Sequence, residues 1–202
     1  MYKKQMTVQK LIVMFMLIAC ALSFLASLGF LTGAYEVLYP GISQRGDAFK
    51  GASLYNDFQP YNTRINNISI ILIVVSLLLF ITGCNTRRKY YISNYIASIA
   101  VSVFSIGASV KCIIDVLTVK NVYLTEVDFE KLNELYQNYL KNPLSKKYVY
   151  SKSTIWFDLC LVAYILVIVA AILVIANLIW KIILMKSEQK LLNVSKEVFA
   201  ND

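Results

Sequence analysis

The sequence predicts an all-α integral membrane protein, a bundle of four transmembrane helices. Of its 202 residues, 58% are hydrophobic and the mean hydropathy is +0.59, well above the values of a soluble domain. The apolar residues gather in four runs, 11–32, 68–84, 92–117 and 155–185. At about 1.5 Å per residue, each run is long enough, or nearly so, to cross a hydrocarbon core of about 30 Å. Residues 1–202 are therefore predicted to form a single membrane domain.

The first run follows Lys3 and Lys4, so a cleaved signal peptide is the alternative interpretation of this segment. Its apolar part is about 21 residues long, whereas the apolar part of a signal peptide has roughly 7–15. No convincing small-x-small cleavage site follows it. We interpret the run as a retained first transmembrane helix.

Basic residues predict how the bundle is oriented. They cluster in the N-terminal segment, in the turn between the second and third runs and after the fourth run: Lys3, Lys4, Lys10, Arg87, Arg88, Lys89, Lys181, Lys186, Lys190 and Lys196. Short segments rich in Lys and Arg stay in the cytoplasm. The expected topology is N-in and C-in, with outer loops at 33–67 and 118–154 and a cytoplasmic tail at 187–202. The net charge of +8 then indicates contact with anionic lipid headgroups rather than with nucleic acid.

Both outer loops are expected to be ordered, because the first is rich in Tyr and Phe and the second contains an amphipathic pattern. Thr125 is a candidate N-cap and Asn142-Pro143 a stop signal, which predicts an extramembrane helix over 126–141. Its apolar face is formed by Phe129, Leu132, Leu135, Tyr136, Tyr139 and Leu140. The first loop, the lipid leaflet and another protein are all candidate partners for this face.

Small residues recur at helical spacing in the first and third runs. They are Ala19, Ser23 and Ser27, and then Ser98, Ser102, Ser105 and Ser109. Small side chains let membrane helices approach closely, and hydroxyl groups can bond across the contact. The stripes predict close helix packing; a polar pathway lined by serines is the alternative.

A charged pair interrupts the third run, where Lys111 and Asp115 lie four residues apart. Ionisable groups at such a depth are costly and are usually paired. Asp158 enters the fourth run at a similar predicted depth. We expect Lys111 to be held by Asp115, by Asp158 or by both, which would join the third and fourth helices. Lys111 extending alone to the interface and a ligand-binding or ion-binding role are the alternatives.

Few residue patterns in the chain indicate a catalytic, metal-binding or redox site. The chain has no histidine, and its four cysteines lie one in each run without a CxxC pair, so neither a metal site nor a redox motif is predicted. We expect a non-enzymatic protein without a cofactor. The predicted role is an accessory or scaffolding subunit of a larger bacterial plasma-membrane complex, such as a transporter or surface assembly. A small transporter or oligomeric channel using the serine face of the third helix is the alternative, and a homo-oligomer is compatible with either.

Overall fold

The fold is built from four long helices and one short one. The computed structural model describes residues 2–35, 38, 53–83, 92–139 and 153–200. The helices are α1 (Tyr2–Leu28), α2 (Leu54–Gly83), α3 (Ile92–Glu126), α4 (Phe129–Tyr139) and α5 (Ile155–Ala200). All but α4 contain a stretch long and apolar enough to cross a membrane. The prediction of an all-helical chain with four candidate transmembrane helices is confirmed over these residues.

The four long helices are arranged as a ring, in which α1 and α3 each pack against both α2 and α5. Neighbours in the chain run antiparallel, because Gln9 near the start of α1 contacts Gly83 at the end of α2. Arg64 in the first half of α2 likewise contacts Asp115 in the second half of α3. We call the end where α1 begins and α2 ends the N-terminal end of the bundle. The opposite end, which holds α4, is the α4 end.

Burial in this bundle does not follow hydrophobicity. Large apolar side chains such as Leu22, Val74 and Ile172 are exposed on the outside, whereas Ser23 and Ser69 are fully buried inside. A membrane bundle gains little from burying leucine, since lipid tails are equally apolar, so close packing decides which residues face inward. The exposed apolar side chains form the belt expected to face lipid.

The helices extend beyond the apolar runs. Helix α2 begins at Leu54, well before residue 68, and α3 continues to Glu126 rather than ending near residue 117. Large parts of the loops predicted at 33–67 and 118–154 are therefore helical. Hydropathy marks only the part suited to lipid, whereas helical hydrogen bonding continues wherever neighbouring helices still pack, as Phe58 and Ile65 do inside the bundle. Helix α2 also contains Pro60, which lacks the N–H for one intrahelical bond and lies outside the apolar part.

Asp128, rather than Thr125, caps the short helix. The Asp128 carboxylate accepts a 3.0 Å hydrogen bond from the Lys131 backbone N–H, the geometry of an N-cap bonded to the third helical residue. The Thr125 hydroxyl instead donates to the Asn121 carbonyl in the last turn of α3. The prediction of Thr125 as N-cap is wrong because α3 has not yet ended at that residue.

An aromatic cluster closes the α4 end. The Tyr123 ring of α3 packs edge-on against Phe129 at the start of α4, and it also contacts Phe157 of α5. Phe157 in turn packs edge-on against Phe30, just after α1. These ring contacts therefore connect α3, α4, α5 and the turn after α1 at this end of the bundle.

Candidate functional site

A cluster of three charged side chains joins α2 to α3 near the α4 end. The Arg64 Nε atom lies 2.6 Å from one Asp115 oxygen, and Lys111 Nζ lies 3.1 Å from the other. The two distances lie just below and just above the range of about 2.7–2.9 Å that is typical of charge-assisted hydrogen bonds. One carboxylate thus binds two cations, one from its own helix and one from the neighbouring helix.

Burial differs sharply within this cluster. The Asp115 side chain is only 3% exposed, whereas those of Arg64 and Lys111 are 42% and 53% exposed. The Arg64 guanidinium also lies over the Tyr61 ring, 5.0 Å from its centroid. The carboxylate is therefore enclosed by the bundle, and the cluster presents a net charge of +1 on its surface.

A second ion pair joins α3 to α5 at the same end. Lys120 Nζ lies 2.5 Å from one Asp158 oxygen, and the Thr154 hydroxyl donates to the other at 2.7 Å. Asp158 does bridge the third and fourth transmembrane helices, but its cation is Lys120 and not Lys111. Lys120 lies about two and a half turns beyond Lys111 along α3, and Lys111 is already held on the α2 side through Asp115.

Sequence reasoning overlooked Arg64, which is the cross-helix partner of Asp115. It lies 51 positions away in a segment expected to be a loop. A search for a second cation within one turn of the second apolar run would have found it, because Arg64 precedes residue 68 by only four positions.

Amide side chains form a second polar cluster, at the N-terminal end. The Gln5 amide donates to Gln9 and to Asn177 of α5, and the Gln9 amide donates to the Gly83 carbonyl at 2.9 Å. This chain of bonds connects α1, α2 and α5, and it satisfies a carbonyl at the end of α2. The spacing of Gln5 and Gln9 by four positions was the available sequence signal.

A small cavity lies beside these amides, between all four long helices. Its volume is about 20 Å³, room for about one water molecule. Lys181 lines it almost fully buried, with its ammonium 4.6 Å from the centre of the Tyr95 ring. The side-chain amide oxygen of Asn94, which also lines the cavity, is buried without a hydrogen-bond partner among the described residues. The sequence predicts Lys181 to be one of the cytoplasmic lysines, and the structure places its side chain inside the bundle.

The small residues singled out in the sequence all lie inside the bundle. Buried positions include Ala19, Ser23, Ser27, Ser98, Ser102, Ser105 and Ser109. Four of the serine hydroxyls donate to carbonyls of their own helix: those of Ser23, Ser27, Ser98 and Ser102. The hydroxyls of Ser105 and Ser109 are buried without a partner in the part of the chain that the structure describes.

The first turn of α4 packs on the bundle itself. Phe129 and Leu132 are both buried, the former against Tyr123. Leu135, Tyr136 and Tyr139 belong to the helix, but their side chains lie outside the described residues, as does all of Leu140. At least the beginning of the predicted apolar face therefore finds its partner within this chain.

Comparison with protein-family models, curated protein sequences and solved structures returned no match. Within the described residues, no group of three or more His, Cys, Asp or Glu side chains is placed to hold a metal ion. Cys20, Cys112 and Cys160 are separate buried thiols.

Proposed function

We propose that the protein is a non-enzymatic accessory or scaffolding subunit of a larger membrane complex, in the plasma membrane of a bacterium. The observation that supports this proposal is the burial of the serine stripes inside the bundle. The hydroxyls of Ser98 and Ser102 donate to backbone carbonyls of their own helix. Hydroxyls used in this way support close packing of a rigid bundle. The exposed apolar belt remains available for neighbouring membrane helices as well as for lipid.

Photo-crosslinking in the native membrane tests for such a partner. An accessory subunit should crosslink to one protein from one side of the bundle only. Suitable exposed positions are Leu22 on α1 and Ile172 on α5, compared with Ile70 on α2 and Ile99 on α3, so that each pair serves as the control for the other. Equal, weak crosslinking to many proteins from all four positions would contradict a dedicated partner; a crosslink only to a second copy would favour a homo-oligomer.

The alternative is a small transporter or oligomeric channel that uses the serine face of α3. The hydroxyls of Ser105 and Ser109 support it, because they have no partner among the described residues and a polar pathway needs groups that can bond to a passing solute. The two readings make opposite predictions for the same variant.

Replacing both Ser105 and Ser109 with alanine should change the free energy of unfolding by about 1 kcal/mol or less, and any change should be stabilising. Removing a buried polar group that has no hydrogen bond carries little cost. The scaffold reading expects an unchanged yield of the larger complex. Thermal unfolding in detergent and complex yield are the measurements. Ser98→Ala with Ser102→Ala is the matched control, because those hydroxyls already have partners. A solute flux in liposomes that the Ser105/Ser109 variant abolishes, and the control variant retains, would establish the channel instead.

The proposed topology is N-in and C-in, which puts the α4 end outside the cell. In a variant without the native cysteines, new cysteines at Ser43 and Ser145 should react with an impermeant maleimide on intact cells. One at Thr86 should not react. These three positions lie outside the described residues. Labelling only of the cysteine at position 86 would show that the orientation is the reverse of the one proposed.

A further inference from the structure

The charged cluster of Arg64, Lys111 and Asp115 lies where the apolar belt meets polar surface. Arg64 precedes the apolar part of α2 by four positions, about 6 Å along the helix axis. Exposed apolar side chains adjoin the cluster on α3, including Val110 and Ile114. A boundary of this kind on a membrane helix marks the level at which hydrocarbon gives way to lipid headgroups.

The cluster carries an uncompensated positive charge at that level. Asp115 neutralises one of the two cations, and both cations are about half exposed. Arg64 uses Nε for Asp115, and its side chain is 42% exposed. A guanidinium group with its terminal nitrogens available can bind a phosphate with two parallel hydrogen bonds.

The outer surface of α3 lacks a side chain at Gly107, one turn from the cluster toward the N-terminal end of the bundle. Gly107 precedes Lys111 by four positions and so shares its face. A Cβ atom added at Gly107 would meet nothing within 4 Å. The exposed Val103 and Val110 side chains stand on either side along the helix. The missing side chain leaves a shallow notch in the exposed apolar surface, one turn before Lys111 on the same face of α3. We call this notch the groove over Gly107.

We propose that the groove over Gly107, together with Arg64 and Lys111, is a binding site for one anionic phospholipid. The lipid phosphate pairs with the two cations, and an acyl chain lies along α3 over Gly107. An acidic helix of a partner protein would satisfy the charge, but it would not require an apolar groove leading away from it. The site depends on the membrane bundle and not on the proposed accessory role.

Native mass spectrometry of the full chain released from nanodiscs tests the site. The nanodiscs contain equal parts of phosphatidylglycerol and phosphatidylcholine, and the wild type should retain phosphatidylglycerol about tenfold in excess. The combined variant Arg64→Gln, Lys111→Gln and Asp115→Asn removes the cations without leaving a buried charge unpaired, and it should lose that preference. Asp115→Asn alone keeps both cations and should preserve or increase it.

Two further variants distinguish a specific site from the general attraction of anionic lipids to a basic protein. Lys120→Gln changes a cation that Asp158 already pairs and should leave the preference intact. Gly107→Leu fills the groove and should reduce retention while leaving the cations in place. A wild type that retains both lipids equally, or a preference that survives the combined variant, would overturn the proposal.

Inorganic phosphate tests whether the acyl chain matters. Millimolar phosphate added to the protein in detergent should not raise its melting temperature, whereas phosphatidylglycerol should. Equal stabilisation by both would show an anion site without a lipid groove and would contradict the proposal.

Discussion

Replacing both Arg64 and Lys111 with methionine will destabilise the bundle by about 3–5 kcal/mol, the usual effect of leaving a buried carboxylate without a cation. Asp115 is almost fully buried, so water cannot compensate for the lost pairs. Lys111→Met alone should have a smaller effect than Arg64→Met alone, because Arg64 makes the shorter contact and bridges two helices. Reversible unfolding in a detergent titration measures the difference.

Adding Asp115→Asn to the double variant should recover most of the loss, because a neutral amide needs no counter-ion. Lys120→Met is the matched control at the second ion pair. Its partner Asp158 is 49% exposed, so the expected loss is about 1 kcal/mol or less. If the triple variant is no more stable than the double variant, the unpaired carboxylate is not the cause of the loss.

Gly29→Ala will destabilise the protein by about 1–3 kcal/mol, the range for forcing an extra methyl group into a packed contact. Gly29 lies in the turn that follows α1, where its backbone N–H bonds to the Ala26 carbonyl. A Cβ atom there would overlap the six-membered ring of Trp156. The indole must shift to accommodate it, which disturbs the start of α5. Thermal unfolding in detergent measures the loss.

Gly107→Ala is the matched control for this steric prediction. Its added methyl group meets open space, so the change should be neutral or stabilising by up to about 1 kcal/mol through helix propensity. Combining Gly29→Ala with Trp156→Leu should cost less than the two single changes added together, since the smaller side chain removes the overlap. If the losses of the two single variants simply add, the loss caused by Gly29→Ala does not come from overlap with Trp156.

Part of the candidate site was accessible from sequence. Lys111 and Asp115 are conspicuous because they are charged residues in an apolar run, and their spacing of four positions predicts the contact that the structure has between them. Arg64 was not accessible in the same way. It lies in a polar stretch without hydropathy contrast, and only the pairing of α2 with α3 brings it to Asp115.

Burial could be anticipated in α1 and α3 from the spacing of Ala and Ser, because small residues mark close helix contacts. For the amide cluster, the spacing of Gln5 and Gln9 was the available signal, and it does not indicate their contact with Asn177. Gln5 and Gln9 precede the first apolar run and Asn177 lies inside the fourth. Near the end of a membrane helix, a polar side chain can face either a headgroup or another helix. Which of the two it faces depends on the register between α1 and α5.

Hydropathy alone is enough to count and roughly place the four transmembrane helices, since transfer of apolar side chains to lipid depends on composition and length. It cannot show where each helix ends, which cation binds Asp115 or Asp158, or that Lys181 is buried. Those features depend on how the helices pack against one another in antiparallel register. Hydrogen bonds and ion pairs act over a few ångströms, and only tertiary packing brings residues that are distant in the chain within that range.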